Sequence, residues 1–217
     1  MNKTSINCCF FDDSAWDYKD TEEKLSTSAR LLVSQHLKLS ENKDNFLDVC
    51  CGQGLISKIL QEHSVKNISC VDGSRNMLEY YMDNLGTFVQ KENIYFHDFE
   101  FGPFDPKKKF DNIIINAGIQ YISKIGDFIE NMHHLSEKNA VLSFSYINND
   151  WNEDTIQDEY GEFYSRGYYE KLIKFYFREE NIFFKEVLSK KFEILNISNY
   201  QQTPKHTTTR LLTARKK

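Results

Sequence analysis

The segment Phe46-Leu-Asp-Val-Cys-Cys-Gly-Gln-Gly54 restricts the fold more than any other. A short apolar run ends in a turn with glycine at alternate positions, and Leu55–Glu62 then reads as a helix. A strand that enters a helix through a tight turn opens a βαβ unit, the building block of parallel sheets. The alternation continues along the chain. Strands are expected at Asn67–Val71, Asn93–His97, Phe110–Asn116 and Ala140–Ile147. Helices are expected over 21–38, from the N-cap Ser74 to Leu85, and over Ile125–Leu135. The run Ile113-Ile114-Ile115 suits a strand covered on both faces. The fold class is therefore α/β, with a doubly wound, mostly parallel sheet.

Beyond residue 147 the pattern loosens. Residues 148–178 are rich in aromatic residues, acidic at their start, and read as partly helical. A helix over 179–190 and two strands, Phe192–Ser198 and Thr207–Ala214, complete the chain. The short connection between those strands makes them antiparallel. One domain over 1–217 is expected, with a helical lid at 1–40 and a lid insertion at 148–178.

A formal net charge of −5 argues against nucleic acid as the main partner, because such proteins carry a basic face. No stretch has the apolar length of a membrane span, and the N-terminus lacks a signal-peptide run. A cytoplasmic monomer or homodimer is the expectation. The five cysteines, Cys8, Cys9, Cys50, Cys51 and Cys70, have no zinc spacing and read as reduced, mostly structural thiols. No metal site is expected.

Four places carry chemistry. In the turn after the first strand, Gly52 and Gly54 let a ligand approach the backbone, and amides at a helix N-terminus suit an anionic group. Asp72, at the end of the second strand, is placed to accept hydrogen bonds from ribose hydroxyls. Asp98, past the third strand, is placed to accept from an adenine amino group, with Phe99 in ring contact. Asn116-Ala-Gly-Ile-Gln-Tyr121 follows the fourth strand, where Gly118 permits close backbone approach and Gln120 and Tyr121 face the crevice. Each feature has a bland counterpart: a tight βα turn, a helix-capping carboxylate, a turn aspartate.

The string Leu47-Asp-Val-Cys-Cys-Gly-Gln-Gly54, then Val71-Asp-Gly-Ser74, Asp98 and Phe110-Asp-Asn-Ile-Ile-Ile-Asn116, resembles the class I S-adenosylmethionine (SAM)-dependent methyltransferase family. The resemblance implies a seven-stranded sheet with an antiparallel last strand. It implies Asp48, Cys50, Gly52 and Gly54 near the methionine part, Asp72 and Gly73 at the ribose, Asp98 and Phe99 at the adenine, and Asn116 beside the cofactor. The family often has glycine where Cys50 stands, and a cysteine is tolerated there if its side chain points into the core. A nicotinamide-binding fold is the competing reading. Its G-x-G-x-x-G fingerprint requires a third glycine at position 57, which is serine.

A sulfonium methyl is already activated, so alignment and exclusion of water are the main demands on the protein. The cofactor is expected to be SAM, without a metal. The substrate lip is expected to hold Trp16, Asp17, Tyr18, Gln120, Tyr121, Tyr146 and Trp151, with His206, Tyr146 and Tyr121 as candidate catalytic groups. A solvated loop histidine is the competing reading of His206. The aromatic density suggests a ring-bearing substrate or an amine held by cation–π contact; rings that merely pack the lid are the alternative. Asn116-Ala-Gly-Ile119 does not match the Asn/Asp-Pro-Pro-Tyr signature of base-amine methyltransferases. The expected activity is methylation of an oxygen or nitrogen on a small molecule. A carrier protein, peptide or tRNA is the alternative acceptor, and a non-catalytic SAM-fold partner subunit is the alternative of another class.

Overall fold

The computed structural model describes residues 5–15, 19–86, 88–147, 155–157, 163–166, 172–175, 183, 188–201 and 209–217. Two helices, α1 (Ile6–Ser14) and α2 (Lys19–Leu39), precede the sheet. The alternating part runs β1 (Phe46–Val49), α3 (Leu55–Glu62), β2 (Ile68–Asp72), α4 (Arg75–Leu85), β3 (Ile94–Phe96), β4 (Phe110–Ile115), α5 (Ile125–Leu135) and β5 (Ser136–Ile147). Three short strands follow, β6 (Thr155–Gln157), β7 (Phe163–Arg166) and β8 (Leu172–Phe175), and then β9 (Phe192–Tyr200) and β10 (Thr209–Lys216).

The main sheet has seven strands in the order β3-β2-β1-β4-β5-β10-β9. β1 pairs in parallel with β2 and β4, and β10 runs antiparallel to both β5 and β9. This is the expected architecture. It brings the carboxyl ends of β1 to β5 to one edge, where ligands of open α/β sheets bind.

The two-residue period of the strands sorts side chains between two cores. Leu47, Val49, Ile113 and Ile115 face α5 and pack with Phe128, Ile129 and Met132. Phe46 and Ile114 face the other way, with Leu32 of α2, Ile59 of α3 and Tyr81 of α4. The face of α2 that carries Ala29, Leu32 and Val33 is fully buried, as its periodicity required.

Two expectations need correction. β5 begins at Ser136 rather than Ala140, directly after α5. Its register against β4 shifts between Phe110 and Asn112, and Asn139 takes a left-handed φ of 65°. The polar run Glu137-Lys138-Asn139 therefore lies in a bulged strand, although its composition resembles a loop. Within 148–178, the described residues form an antiparallel three-stranded sheet, β6-β7-β8, and no helix. Aromatic residues suit either state, and this segment has no helical period to decide between them. Most of the helix expected over 179–190 lies outside the described residues.

Candidate functional site

The turn after β1 is held by its neighbours. Asp48 is buried, and its Oδ2 accepts from the Ser57 amide at 3.1 Å and the Ser57 hydroxyl at 2.7 Å. Ser57, where a nicotinamide fingerprint would place its third glycine, thus anchors the Asp48 carboxylate through both its amide and its hydroxyl. Burial pushes the Asp48 carboxyl up to about 7, against the pull of the Ser57 bonds. Gly54 sits at φ 92°, and a Cβ there would fall 2.7 Å from the Tyr81 ring, so only glycine lets α3 start this close to α4. Cys50 has φ 54°, unusual for a side-chain-bearing residue. It packs against Gly118 of the β4 turn, where a Cβ would come within 2.6 Å of the Cys50 Cβ.

Asp72 closes β2 with its carboxylate tied on both oxygens: the Gly52 amide donates to Oδ2 and the Ser74 amide to Oδ1, each at 2.8 Å. Burial still pushes this carboxyl up to about 6. Ser74 caps α4 by accepting from the Met77 amide at 3.1 Å, as its sequence position suggested. Past β3, Asp98 accepts from the Ser5 amide at 2.8 Å and the Glu100 amide at 3.1 Å. Phe99 stands edge-to-face with Phe128 at 5.0 Å and with His97 at 5.0 Å, which fixes its ring at the cleft wall.

Helix α1 roofs this edge. Its N-cap Ser5 holds Asp98. Asn7 Nδ2 donates to the Tyr121 carbonyl at 3.1 Å, and Phe11 meets the Tyr121 ring at 5.2 Å. Asp12 Oδ1 accepts from the Ser74 hydroxyl at 2.7 Å and the Asn76 amide at 3.1 Å. Cys8 Sγ fills the space that a side chain on Gly73 would need. The cavity beneath it measures about 120 Å³ and opens to solvent on one side.

Asp48, Cys50, Gly52, Asp72, Gly73, Asp98, Phe99, Asn116 and Tyr121 all line that cavity. Gly54 stands one step behind it, against α4. Burial pushes the Tyr121 phenol up to about 12, so it keeps its proton at neutral pH. Gln120 is buried and turned back, with Nε2 donating to the Ala117 carbonyl at 2.8 Å; it does not reach the cavity wall. Tyr146 lies on β5 against Phe144, ring centroids 5.9 Å apart, and is also off the wall. Trp16, Asp17, Tyr18, Trp151 and His206 lie outside the described residues.

Sequence reasoning missed Ser5, Asn7, Cys8 and Phe11 of the roof, and Gln53, Met77 and Glu100 of the wall. Only Ser5 had a local signal, as an N-cap ahead of Ile6.

The strand order, the antiparallel β10 and the row of carboxylates at the ends of β1, β2 and β3 define a class I SAM-dependent methyltransferase fold. The chain belongs to the methyltransferase domain family, whose model matches residues 21–182. It is 30% identical over 112 residues to malonyl-[acyl-carrier protein] O-methyltransferase 2 of Ilyobacter polytropus, covering 51% of this chain and 42% of that protein. It is 29% identical over 114 residues to demethylmenaquinone methyltransferase of Leptospira interrogans, covering 48% and 45%. The chain thus spans less than half the length of these curated relatives. Among solved structures, a DhpI–S-adenosylhomocysteine (SAH) complex superposes with a TM-score of 0.69 at 15% identity, covering 97% of this chain and 95% of that one. A SAM-dependent methyltransferase from Clostridium acetobutylicum superposes at 0.64 and 16% identity, covering 86% and 89%.

Proposed function

We propose that this protein transfers the methyl group of SAM to an oxygen or nitrogen of a small molecule by in-line displacement. The observation that carries the reading is the row Asp48, Asp72 and Asp98, one carboxylate at or near the end of each of three adjacent strands, all facing one cavity. Asp72 would take the ribose hydroxyls. Asp98 and Phe99 would take the adenine, and the Asp48–Gly52 turn the methionine part. No lysine or arginine is among the described residues lining the cavity, so its acidic wall suits a cationic guest.

When bound, SAM supplies a methyl group already activated on sulfonium. The chain's residues bind and orient. Tyr121 stays protonated and serves as a donor rather than a base. α1, with Phe11 and Tyr121 in edge contact, keeps water from the reacting atoms. Alignment of this kind supplies on the order of 7–11 kcal/mol in favourable intramolecular models.

Calorimetric titration with SAH tests the reading: one site per chain is expected, and no heat of binding would sink it. A carrier-linked acceptor is the second reading, favoured by the malonyl-[acyl-carrier protein] O-methyltransferase relatives. Labelled methyl transfer into extract fractions separates the two by product size.

A further inference from the structure

The parallel strands form a ruler. Neighbouring strands lie about 4.8 Å apart. Asp98 follows β3, Asp72 ends β2 and Asp48 lies in β1, and these three strands are adjacent in that order. On the methyltransferase reading, adenine, ribose and methionine occupy successive strand ends. β4 is the next strand, one spacing beyond the methionine, and Asn116 follows its last residue. Asn116 lines the same cavity. Its place on the ruler is the side where a methyl acceptor meets the sulfonium.

The Asn116 amide has one defined orientation. Ser145 of β5 is buried, and its Oγ accepts from the Ala117 amide at 2.8 Å. The same Oγ donates to Asn116 Oδ1 at 2.8 Å. A hydroxyl has a single proton to donate. Flipping the Asn116 amide would leave that proton without an acceptor in a buried site, which is disfavoured. Oδ1 is therefore committed to Ser145, and the two Nδ2 protons are the groups left for a guest. The Ala117 bond has a further purpose: Ala117 sits at φ 52°, and the Ser145 hydroxyl holds this strained turn closed.

We propose that Asn116 Nδ2 donates to a carbonyl or carboxylate oxygen of the methyl acceptor, beside its nucleophilic atom, and that Ser145 is the positioning residue for that amide. This rests on the methyltransferase reading and deepens it. Acceptors that carry such an oxygen are selected, and plain amines are not.

The test uses the full chain, ¹⁵N-labelled and saturated with SAH. The Asn116 side-chain amide signal is assigned by its disappearance in Asn116→Asp. Sodium acetate and acetamide are expected to shift it, and methylammonium chloride is not. Ser145→Ala is expected to weaken acetate or acetamide binding roughly tenfold, the loss of one oriented hydrogen bond. Ser145→Thr keeps the hydroxyl and is expected to restore it. If Ser145→Ala fails to fold, the amide shifts of wild type and Ser145→Thr with acetate, acetamide and methylammonium still decide. A shift by acetate alone assigns a carboxylate acceptor, and a shift by both assigns any carbonyl oxygen. No shift with either, a shift with methylammonium, or an SAH affinity that falls more than tenfold in Asn116→Asp overturns the proposal. Failure of the wild type to bind SAH removes the methyltransferase reading itself, and the two failures are thereby distinct.

Discussion

Two regions of this molecule bury polar groups, and they do so in opposite ways. Beneath α2, a chain of hydrogen bonds crosses the sheet: Ser198 donates to Gln35, Gln35 to Thr213, Thr213 to Ser143, Ser143 to His36 Nδ1, and His36 Nε2 to Asn112. Ser40 also reaches Asn112 Oδ1 at 2.5 Å, and the Asn112 amide donates to the Asn42 and Asp44 carbonyls. Each donor meets an acceptor, which fixes His36 as the neutral Nε2–H form. At the cleft, by contrast, Gln53 Oε1 is buried without a hydrogen-bond partner among the described residues, and two carboxyls sit above their ordinary range. A network built for stability closes on itself. On the proposed function, the open acceptor of Gln53 and the raised carboxyls suit a site that receives a ligand.

The sharpest way to break the contrast is His36→Ala. It orphans Ser143 and Asn112 and leaves a hole, so about 4 kcal/mol of stability should be lost in denaturant titration. A loss below about 1 kcal/mol would mean that the network is not a stability element.

The pH response should separate the regions next. Burial holds His36 at about 4, below its ordinary 6.5. Its contribution is complete above pH 6.5 and is lost as pH falls towards 4, about 3 kcal/mol in all. Asp48, raised to about 7 from 3.8, acts in the opposite sense, and folding gains as pH falls through that range. Asp72, raised to about 6, acts in the same sense as Asp48, so denaturation midpoints from pH 4 to 7.5 should fall with acid in the double variant Asp48→Asn/Asp72→Asn and rise with acid in His36→Asn. Parallel slopes in the two variants would erase the distinction.

On the proposed function, Asp72→Asn should cost SAH roughly 100-fold in calorimetric affinity, because the charge-assisted bonds it would make to ribose are weakened. An affinity within threefold of wild type would move the ribose elsewhere. The smallest effect is expected at the strand-end interlock. Gly118→Ala places a methyl group against Cys50 and should cost about 2 kcal/mol, seen as a lower melting temperature. In a Cys50→Gly background the same change should cost markedly less.

The sheet was largely legible in the sequence because β1, β2 and β4 carry their own signals: short apolar runs, flanking turns and, at β4, three consecutive isoleucines. The carboxylates Asp48, Asp72 and Asp98 were legible for the same reason, since each is placed by its own strand. What escaped depends on distance along the chain. Ser5 meets Asp98 across 93 residues, and His36 meets Ser143 across 107. His36 falls on the buried stripe of α2, spaced three from Val33 and four from Leu32, but nothing nearby announces its partners. The strands β6 to β8 escaped because aromatic composition does not choose between helix and strand.

Cys50 and Gly118 share one small volume between two turns. A side chain on one side requires its absence on the other. Over evolutionary time these two positions are then free to change only in concert, and a lineage with glycine at position 50 should tolerate larger residues at 118. The pair would surface in an alignment of relatives as a covarying couple 68 positions apart, recording a steric exchange rather than a shared role in chemistry.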